Sequence, residues 1–309
     1  MQQVQQSAMM VSHNSQQQQP QLAQWQADRI CTAAASGSPI ALTAALTAVG
    51  VTVDVATSVD RSVDDAAYAA NIVNCRDSVR CLTPLHCAAT AAAAAAAGPE
   101  SDQVDAGAGD CAASLLVLGA NPNARDGHGC TPLHYAARYA SPKVCQCLLT
   151  CRSTRIDLRN AWGRTALMFA AWGGDESGAV SGAGDSEIKR LVIARSLLRA
   201  GANVDIRDSR GRTALMWSAL NAKVALLRLL LNSGADWRRR NFDGLTAAQL
   251  AQREGHVEVA QLLAAVADNA LKSPSGVASA PAEGQDGAAS KEGAPGTEAA
   301  GVNASTGTS

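Results

Sequence analysis

The 309-residue sequence lacks the features that would point to catalysis, membrane insertion or secretion. It has no phosphate-binding G-x-x-x-x-G-K-[ST] loop, no G-x-S-x-G motif and no H-E-x-x-H motif. No apolar run approaches the ~20 residues of a membrane helix, and no basic residue precedes an apolar block at the start. We therefore predict a protein with no catalytic residues, no cofactor, no membrane insertion and no secretory signal.

Closely paired cysteines with C-x-x-C spacing are also missing. The nine cysteines are scattered and odd in number, and even Cys145, Cys147 and Cys151 lack metal-site spacing. Free thiols are typical of a reducing compartment. The sequence predicts an intracellular protein, cytoplasmic or nuclear, whose cysteines are small buried thiols and not metal ligands.

What the sequence does contain is one four-residue phrase written five times. The copies read TPLH, TPLH, TALM, TALM and TAAQ, and they begin at Thr83, Thr131, Thr165, Thr213 and Thr246. Their spacings of 48, 34, 48 and 33 residues imply a unit of 33 residues that is lengthened twice. A recurring unit of this size predicts a stacked repeat array with an extended binding face.

The residue types explain how each unit folds. Thr can cap a helix, and Pro fits the first helical position because its missing N–H has no partner there. Alanine pairs such as Ala136 and Ala137 keep this first helix slim, and leucine pairs such as Leu148 and Leu149 mark a second helix. A glycine then ends the second helix, and an Asp or Asn three positions before a further glycine makes a projecting turn, the finger.

The series T-P-L-H-x-A-A, L-L-x-x-G-A-[ND] and [DN]-x-x-G-x-T resembles the ankyrin repeat. The resemblance implies an all-α solenoid of about six helix-turn-helix units with short β-hairpin-like fingers. We expect disordered tails at 1–26 and 269–309 around an ankyrin domain at 27–268. Within that domain we expect a divergent N-terminal capping repeat plus insert (27–74), inner repeats (75–245) and a C-terminal capping repeat (246–268).

Departures from the family pattern predict local irregularities. The glycine expected after Leu149 is missing, so that helix should end irregularly. The phrase histidine survives only as His86 and His134, which limits any polar link between repeats to those two positions. Inserts should give a longer helix at 91–97, a flexible loop at 173–186 and a reshaped first finger at 56–74.

Charge is segregated along the chain, since residues 111–268 carry 20 basic and 13 acidic side chains. An arginine precedes the Asp or Asn of every finger, and repeats stack about 10 Å apart, so these residues should form a column of cations. The column comprises Arg76, Arg125, Arg159, Arg207 and Arg240. Two interpretations stay open: the arginines pair with acidic neighbours across the stack, or they contribute to ligand capture.

Aromatic and arginine side chains are enriched in binding hot spots, and several occur where the scaffold does not require them. Trp162 and Phe242 fall in finger tips, whereas Tyr135, Phe169 and Trp217 could equally pack against the next repeat. The remaining candidates for partner binding are His128, Arg138, Tyr139, Trp172, Arg164, Arg210 and Arg212.

The sequence as a whole predicts a non-catalytic adaptor or scaffold that binds a protein partner. A partner segment should lie on the concave face of fingers and first helices, and we expect it to be acidic or phosphorylated because arginine suits carboxylate and phosphate groups. Nucleic-acid binding along the arginine column is a rival that the acidic tails disfavour, and a regulatory subunit of an enzyme complex is another. We expect a monomer.

Overall fold

The structure, a computed structural model, describes residues 24–51, 63–94, 101–173 and 185–272. The chain divides into two units, Met1–Asp268 and Asn269–Ser309, and the packing described below belongs to the first. Helices are the only regular secondary structure in the described ranges, which confirms the all-α prediction. The fingers are hydrogen-bonded turns.

The N-terminal part contains three helices, α1 (24–35), α2 (Pro39–Thr47) and α3 (Val63–Val73). Residues 24–26, which the prediction assigned to the 1–26 tail, are already helical in α1. Gln24 Nε2 donates to the carbonyl of Arg76 at 3.1 Å, and Ile30 and Ala34 are buried about two and three turns later. Helix α3 occupies much of the predicted 56–74 insert, and residues 1–23 and 52–62 lie outside the described ranges.

Five helix pairs follow in the repeat order that the phrases predict. The pairs are α4 (Pro84–Ala94) with α5 (Ser101–Val117), α6 (Pro132–Arg138) with α7 (Pro142–Thr150), α8 (Ala166–Trp172) with α9 (Asp185–Arg199), α10 (Ala214–Leu220) with α11 (Val224–Asn232), and α12 (Ala247–Arg253) with α13 (Val257–Lys272). First helices contact first helices of the next repeat, and α5, α7, α9 and α11 contact one another in the same order. Successive repeats therefore stack, as a solenoid requires.

Two further element ends differ from the predicted boundaries. Helix α9 begins at Asp185, so the last two residues of the predicted 173–186 loop are helical, and α13 continues past residue 268. Helix α4 reaches Ala94, inside the alanine run at 91–97. The remainder of that run, residues 174–184 and the tail from 273 lie outside the described ranges.

Close packing depends on the alanine and leucine pairs. Ala88, Ala136 and Ala170 are buried on the first helices, where a larger side chain would hold neighbouring helices apart. Leu115 and Leu148, on the second helices, are also completely buried. Each such leucine contributes roughly 1.5–3 kcal/mol through removal of apolar surface from water.

The missing glycine after Leu149 has the predicted effect. Helices α5, α9 and α11 end near glycines in the left-handed region, for example Gly119 at φ +91. Helix α7 instead ends at Cys151 with φ −76 and ψ 116, which is extended backbone. The carbonyl of Leu148 is satisfied by the hydroxyl of Thr154, which donates to it at 2.6 Å.

The two phrase histidines form the predicted link between repeats. Nδ1 of His134 lies 3.0 Å from the backbone N–H of Thr131, which can only donate, so Nδ1 accepts and Nε2 carries the proton. Nε2–H then donates to the carbonyl of Arg164 in the next repeat at 3.0 Å. His86 makes the same bonds with Thr83 and with the carbonyl of Cys130. Burial lowers the pKa of both imidazoles to about 4.

Candidate binding surface on the fingers and first helices

Each finger is closed by the side chain of its Asp or Asn. Oδ1 of Asp208 accepts from the backbone N–H groups of Arg210 and Arg212 at 2.9 and 2.8 Å. Asn160 and Asp126 make the equivalent pair of bonds in the two preceding fingers. The side-chain oxygen accepts from backbone N–H groups that the tight turn would otherwise leave without a partner. Each finger tip therefore has a fixed conformation.

Neighbouring fingers are also joined through their backbones. The N–H of Ala161 donates to the carbonyl of His128 at 2.9 Å, and the N–H of Ser209 donates to the carbonyl of Trp162 at 2.9 Å. Phe242 continues this series by donating to the carbonyl of Arg210 at 3.1 Å. The four finger tips therefore present their side chains in a fixed order along the stack.

The arginine column is engaged inside the stack. Each guanidinium donates to the backbone carbonyl of the next column arginine: Arg76 to Arg125 (2.8 Å), Arg125 to Arg159 (3.3 Å), Arg159 to Arg207 (3.0 Å) and Arg207 to Arg240 (2.8 Å). Arg240, in the last finger, donates within its own finger to Gly244. The acceptors are carbonyls, which corrects the expectation of acidic neighbours as partners. These bonds give the column a role in joining repeats, and its part in ligand capture stays a hypothesis.

The aspartates at the start of two finger turns, Asp126 and Asp208, are turned inward. Asp126 and Asp208 are both buried, and beyond their turn bonds each accepts one more hydrogen bond through Oδ2. The donors are the hydroxyl of Tyr135 at 2.7 Å and Nε1–H of Trp217 at 3.1 Å. Negative charge is thus enclosed by the first helices, while the arginines lie nearer the surface.

A second set of arginines alternates with tryptophans across the same face, and we call it the Arg–Trp row. The guanidinium carbons of Arg138 and Arg164 lie 5.6 and 5.2 Å from the centroid of the Trp172 ring. Those of Arg164 and Arg212 lie 4.7 and 5.1 Å from the centroid of Trp217. The row therefore runs Arg138, Trp172, Arg164, Trp217, Arg212. Cation–π contacts at these distances hold the guanidinium groups in place.

Two arginines of the row, Arg138 and Arg212, form no ion pair with a carboxylate among the described residues. In the same part of the chain, the buried Nε atoms of these two arginines have no hydrogen-bond acceptor. Arg138 and Arg212 are therefore held in position by tryptophan rings and not by carboxylates in ion pairs.

A cleft of about 180 Å³ opens at one end of the row, between two consecutive repeats. Its rim includes the finger-tip residues His128 and Trp162, whose rings stack at 5.2 Å, and its sides include Trp172 and the two arginines of the row nearest to it. The other lining residues are Asp126, Cys130, His134, Tyr135 and Phe169. The structure thus brings His128, Arg138, Trp162, Arg164 and Trp172 together at one site.

Three residues at the floor of the cleft, Cys130, His134 and Tyr135, are uncharged at neutral pH. Burial lowers the pKa of His134 to about 4 and raises the pKa of Cys130 to about 11. Burial, followed by the hydrogen bond to Asp126, also raises the pKa of Tyr135 well above its ordinary value. The imidazole is therefore neutral, and the thiol and phenol stay protonated.

The other sequence candidates lie near this site or farther along the stack. Tyr139 is next to Tyr135, with ring centroids 6.0 Å apart, and Arg138 lies over its ring. Phe242 lies in the last finger, 68% exposed, with Arg207 over its ring. Arg210 is an exposed tip residue. Cys130 and His134 also line the cleft. The sequence predicted only a buried thiol and a histidine that links repeats at these positions, because nothing in the pattern indicates a surface opening.

Comparison with known proteins agrees with this architecture. A family model described as "Ankyrin repeats (3 copies)" matches residues 103–180 and 184–273, more than half of the chain. This chain belongs to the ankyrin-repeat family. Ankyrin repeats generally mediate protein–protein interactions and are typically non-catalytic modules.

Two curated relatives share parts of the ankyrin array. Neurogenic locus notch homolog protein 4 of Homo sapiens is 51% identical over 57 residues, which are 18% of this chain and 3% of that protein. B-cell lymphoma 3 protein homolog of Mus musculus is 28% identical over 163 residues, which are 51% of this chain and 33% of that protein. The chain therefore spans a third or less of the length of either relative.

The structure also describes the cysteines, the groups that could hold a metal ion and the length of the apolar helices. All nine cysteines are free thiols. Among the described residues, no group of His, Cys, Asp and Glu side chains has the arrangement of a metal site. No helix in the described ranges combines the length and apolarity needed to cross a membrane.

Proposed function

We propose that this ankyrin-repeat chain is a non-catalytic adaptor whose Arg–Trp row binds an acidic or phosphorylated segment of a protein partner. The observation that carries the proposal is the separation of charge on the finger face. Asp126 and Asp208 are enclosed and hydrogen-bonded, while Arg138 and Arg212 lie at half-buried surface positions and form no ion pair among the described residues.

The row has the composition of an interface hot spot, since tryptophan and arginine are the residues most enriched there. Its guanidinium groups are already oriented by contact with Trp172 and Trp217. A partner carboxylate or phosphate therefore gains a charge-assisted hydrogen bond without ordering a free arginine side chain. The nine free thiols fit a reducing compartment, and we place the adaptor inside the cell, in the cytoplasm or nucleus, as a monomer.

The test is a selection of random peptides on the intact chain, followed by affinity measurement on two double variants. Arg138→Glu with Arg212→Glu reverses charge in the row. Arg199→Glu with Arg228→Glu makes the same change in net charge on the second helices α9 and α11. We expect acidic peptides to be enriched and to bind at least about tenfold more weakly to the row variant, while the control variant keeps nearly all affinity.

Folding must be separated from binding in this comparison. Arg138→Gln with Arg212→Gln keeps side-chain length and removes charge, so it should give an intermediate loss of affinity with little change in thermal unfolding. Selected peptides without acidic residues, or equal losses in row and control variants, would contradict the proposal. Single-stranded oligothymidylate tests the nucleic-acid rival: binding tighter than that of the peptides, with a steep salt dependence, would favour that rival.

A further inference from the structure

The cleft at the end of the Arg–Trp row has the volume of a single large side chain. Its 180 Å³ is below the roughly 300–1,000 Å³ of sites that enclose a whole small-molecule ligand. It is close to the ~150 Å³ of an engineered protein cavity that accepts benzene. One six-membered aromatic ring is therefore an occupant of suitable size.

The floor requires that this occupant present an apolar surface inward. Both ring nitrogens of His134 are engaged, with Thr131 and with the carbonyl of Arg164. The hydroxyl of Tyr135 is committed to Asp126, and the Phe169 ring offers no polar atom. A polar group placed on this floor would exchange water for few new hydrogen bonds, which is unfavourable.

The sides of the cleft favour aromatic contact combined with negative charge. Trp162, 41% exposed at the rim, and Trp172 supply ring faces and edges against which another ring can stack. Arg138 and Arg164 contribute two positive charges to the same opening. A cationic side chain would be repelled, and a carboxylate on a short aliphatic stem would leave the ring surfaces without contact.

We infer that the cleft receives one aromatic side chain of the partner segment, and that Arg138 and Arg164 receive negative charge on or directly beside that ring. The inference rests on the proposed function, because it specifies the anchor of the same acidic segment. The charge has two possible sources with one chemistry: a phosphate on a tyrosine ring, or the carboxylates of flanking Asp and Glu. A nucleobase is disfavoured because the hydroxyl of Tyr135 and both ring nitrogens of His134 are already hydrogen-bonded, which leaves few groups to pair with its polar edge.

The experiment uses the full chain and three peptides that differ only at the centre, Glu-Glu-X-Glu-Glu with Ala, Tyr or phosphotyrosine as X. Binding is followed by NMR shifts of the tryptophan indole N–H groups, which Trp162→Phe and Trp172→Phe assign. We expect the Tyr or the phosphotyrosine peptide to bind about tenfold or more tightly than the Ala peptide, through burial of the ring. The tighter of the two identifies the source of the charge.

A matched pair of variants places the ring in the cleft. Trp162→Ala should abolish most of the difference between the aromatic and Ala peptides, whereas Phe242→Ala, in the last finger, should leave it unchanged. Trp162→Ala should fold normally, because the turn is held by the backbone bonds of Trp162 to Asn160 and Ser209. The Arg138→Gln variant should weaken all three peptides.

Two results would overturn the inference and leave the proposed function intact. The first is equal affinity for the Ala and Tyr peptides when binding of both depends on the arginines of the row. The second is a preference for the aromatic peptides that survives Trp162→Ala. Tighter binding of uridine monophosphate than of either aromatic peptide would also overturn it. Absence of saturable binding by all three peptides would count against both the inference and the proposed acidic partner.

Discussion

Acidification from about pH 7 to about pH 5 should destabilise the repeat stack through His86 and His134. In both, burial lowers the pKa from 6.5 to about 4, because a ring shielded from water disfavours the charged form. The folded-state pKa lies below the ordinary value, so the unfolded chain binds the proton more tightly. The stability contributed by each neutral ring is complete above about pH 6.5 and is lost as the pH falls towards 4.

The size of the effect follows from the same two pKa values. At about pH 5 an exposed imidazole is almost fully protonated, whereas a group of pKa about 4 is mostly neutral. The difference corresponds to about 2 kcal/mol per histidine relative to neutral pH. For two histidines the loss is a large fraction of the roughly 5–15 kcal/mol that stabilises a typical domain.

Urea unfolding at a series of pH values measures this loss, and the chain supplies its own reference substitution. Gln249 occupies the same phrase position in the last repeat, where its Oε1 accepts from the N–H of Thr246 at 3.0 Å. The double variant His86→Gln with His134→Gln should therefore fold, with some loss of stability at neutral pH and a much flatter dependence between pH 7 and 5. Parallel stability curves for the variant and the unchanged chain would refute the reasoning, since all other titrating groups are common to both.

Two further predictions concern the fingers. Gly211→Ala should lower the free energy of unfolding clearly more than Gly244→Ala: both glycines have φ above +70, but a Cβ at Gly211 would approach the Phe242 nitrogen to 2.8 Å, whereas at Gly244 it meets nothing within 4 Å. Equal losses in chemical denaturation would show that the close approach is absent. Arg207→Gln should cost about 1 kcal/mol more than Arg240→Gln, because only Arg207 donates to the carbonyl of the next repeat. Indistinguishable unfolding midpoints would contradict a role of the column in joining repeats.

The phrases predicted the helices well because each depends on short-range rules. These rules act within a few residues along the chain, so the sequence reveals them directly. Examples are Pro132 at a helix start, the buried pair Ala136 and Ala137, and the left-handed Gly119. The helical residues 24–26 of α1 were not predicted, because they depend on a long-range contact. Gln24 is stabilised there by the carbonyl of Arg76, 52 positions away, which no local pattern reveals.

The binding surface was predictable in composition but not in arrangement. Trp162, Arg138 and Trp172 were candidates because of their residue types, yet their meeting at one cleft depends on the stacking of two repeats. The arginine column shows the same limit. A sequence displays side-chain charges, so carboxylates were the expected partners of Arg159, while the acceptor proved to be a backbone carbonyl that every residue possesses.

Position within a finger decides what an arginine of this chain does. Arg207, Arg210 and Arg212 lie within six residues, yet Arg207 bonds to the next repeat, Arg210 is exposed at the tip, and Arg212 lies over Trp217 in the row. The bonds that close the turn use the backbone of Arg210 and Arg212, not their side chains. Substitution at these last two positions can therefore alter what the surface binds while the turn persists. The same change at Arg207 would remove a bond between repeats, so binding specificity and stack stability depend on different arginines of one finger.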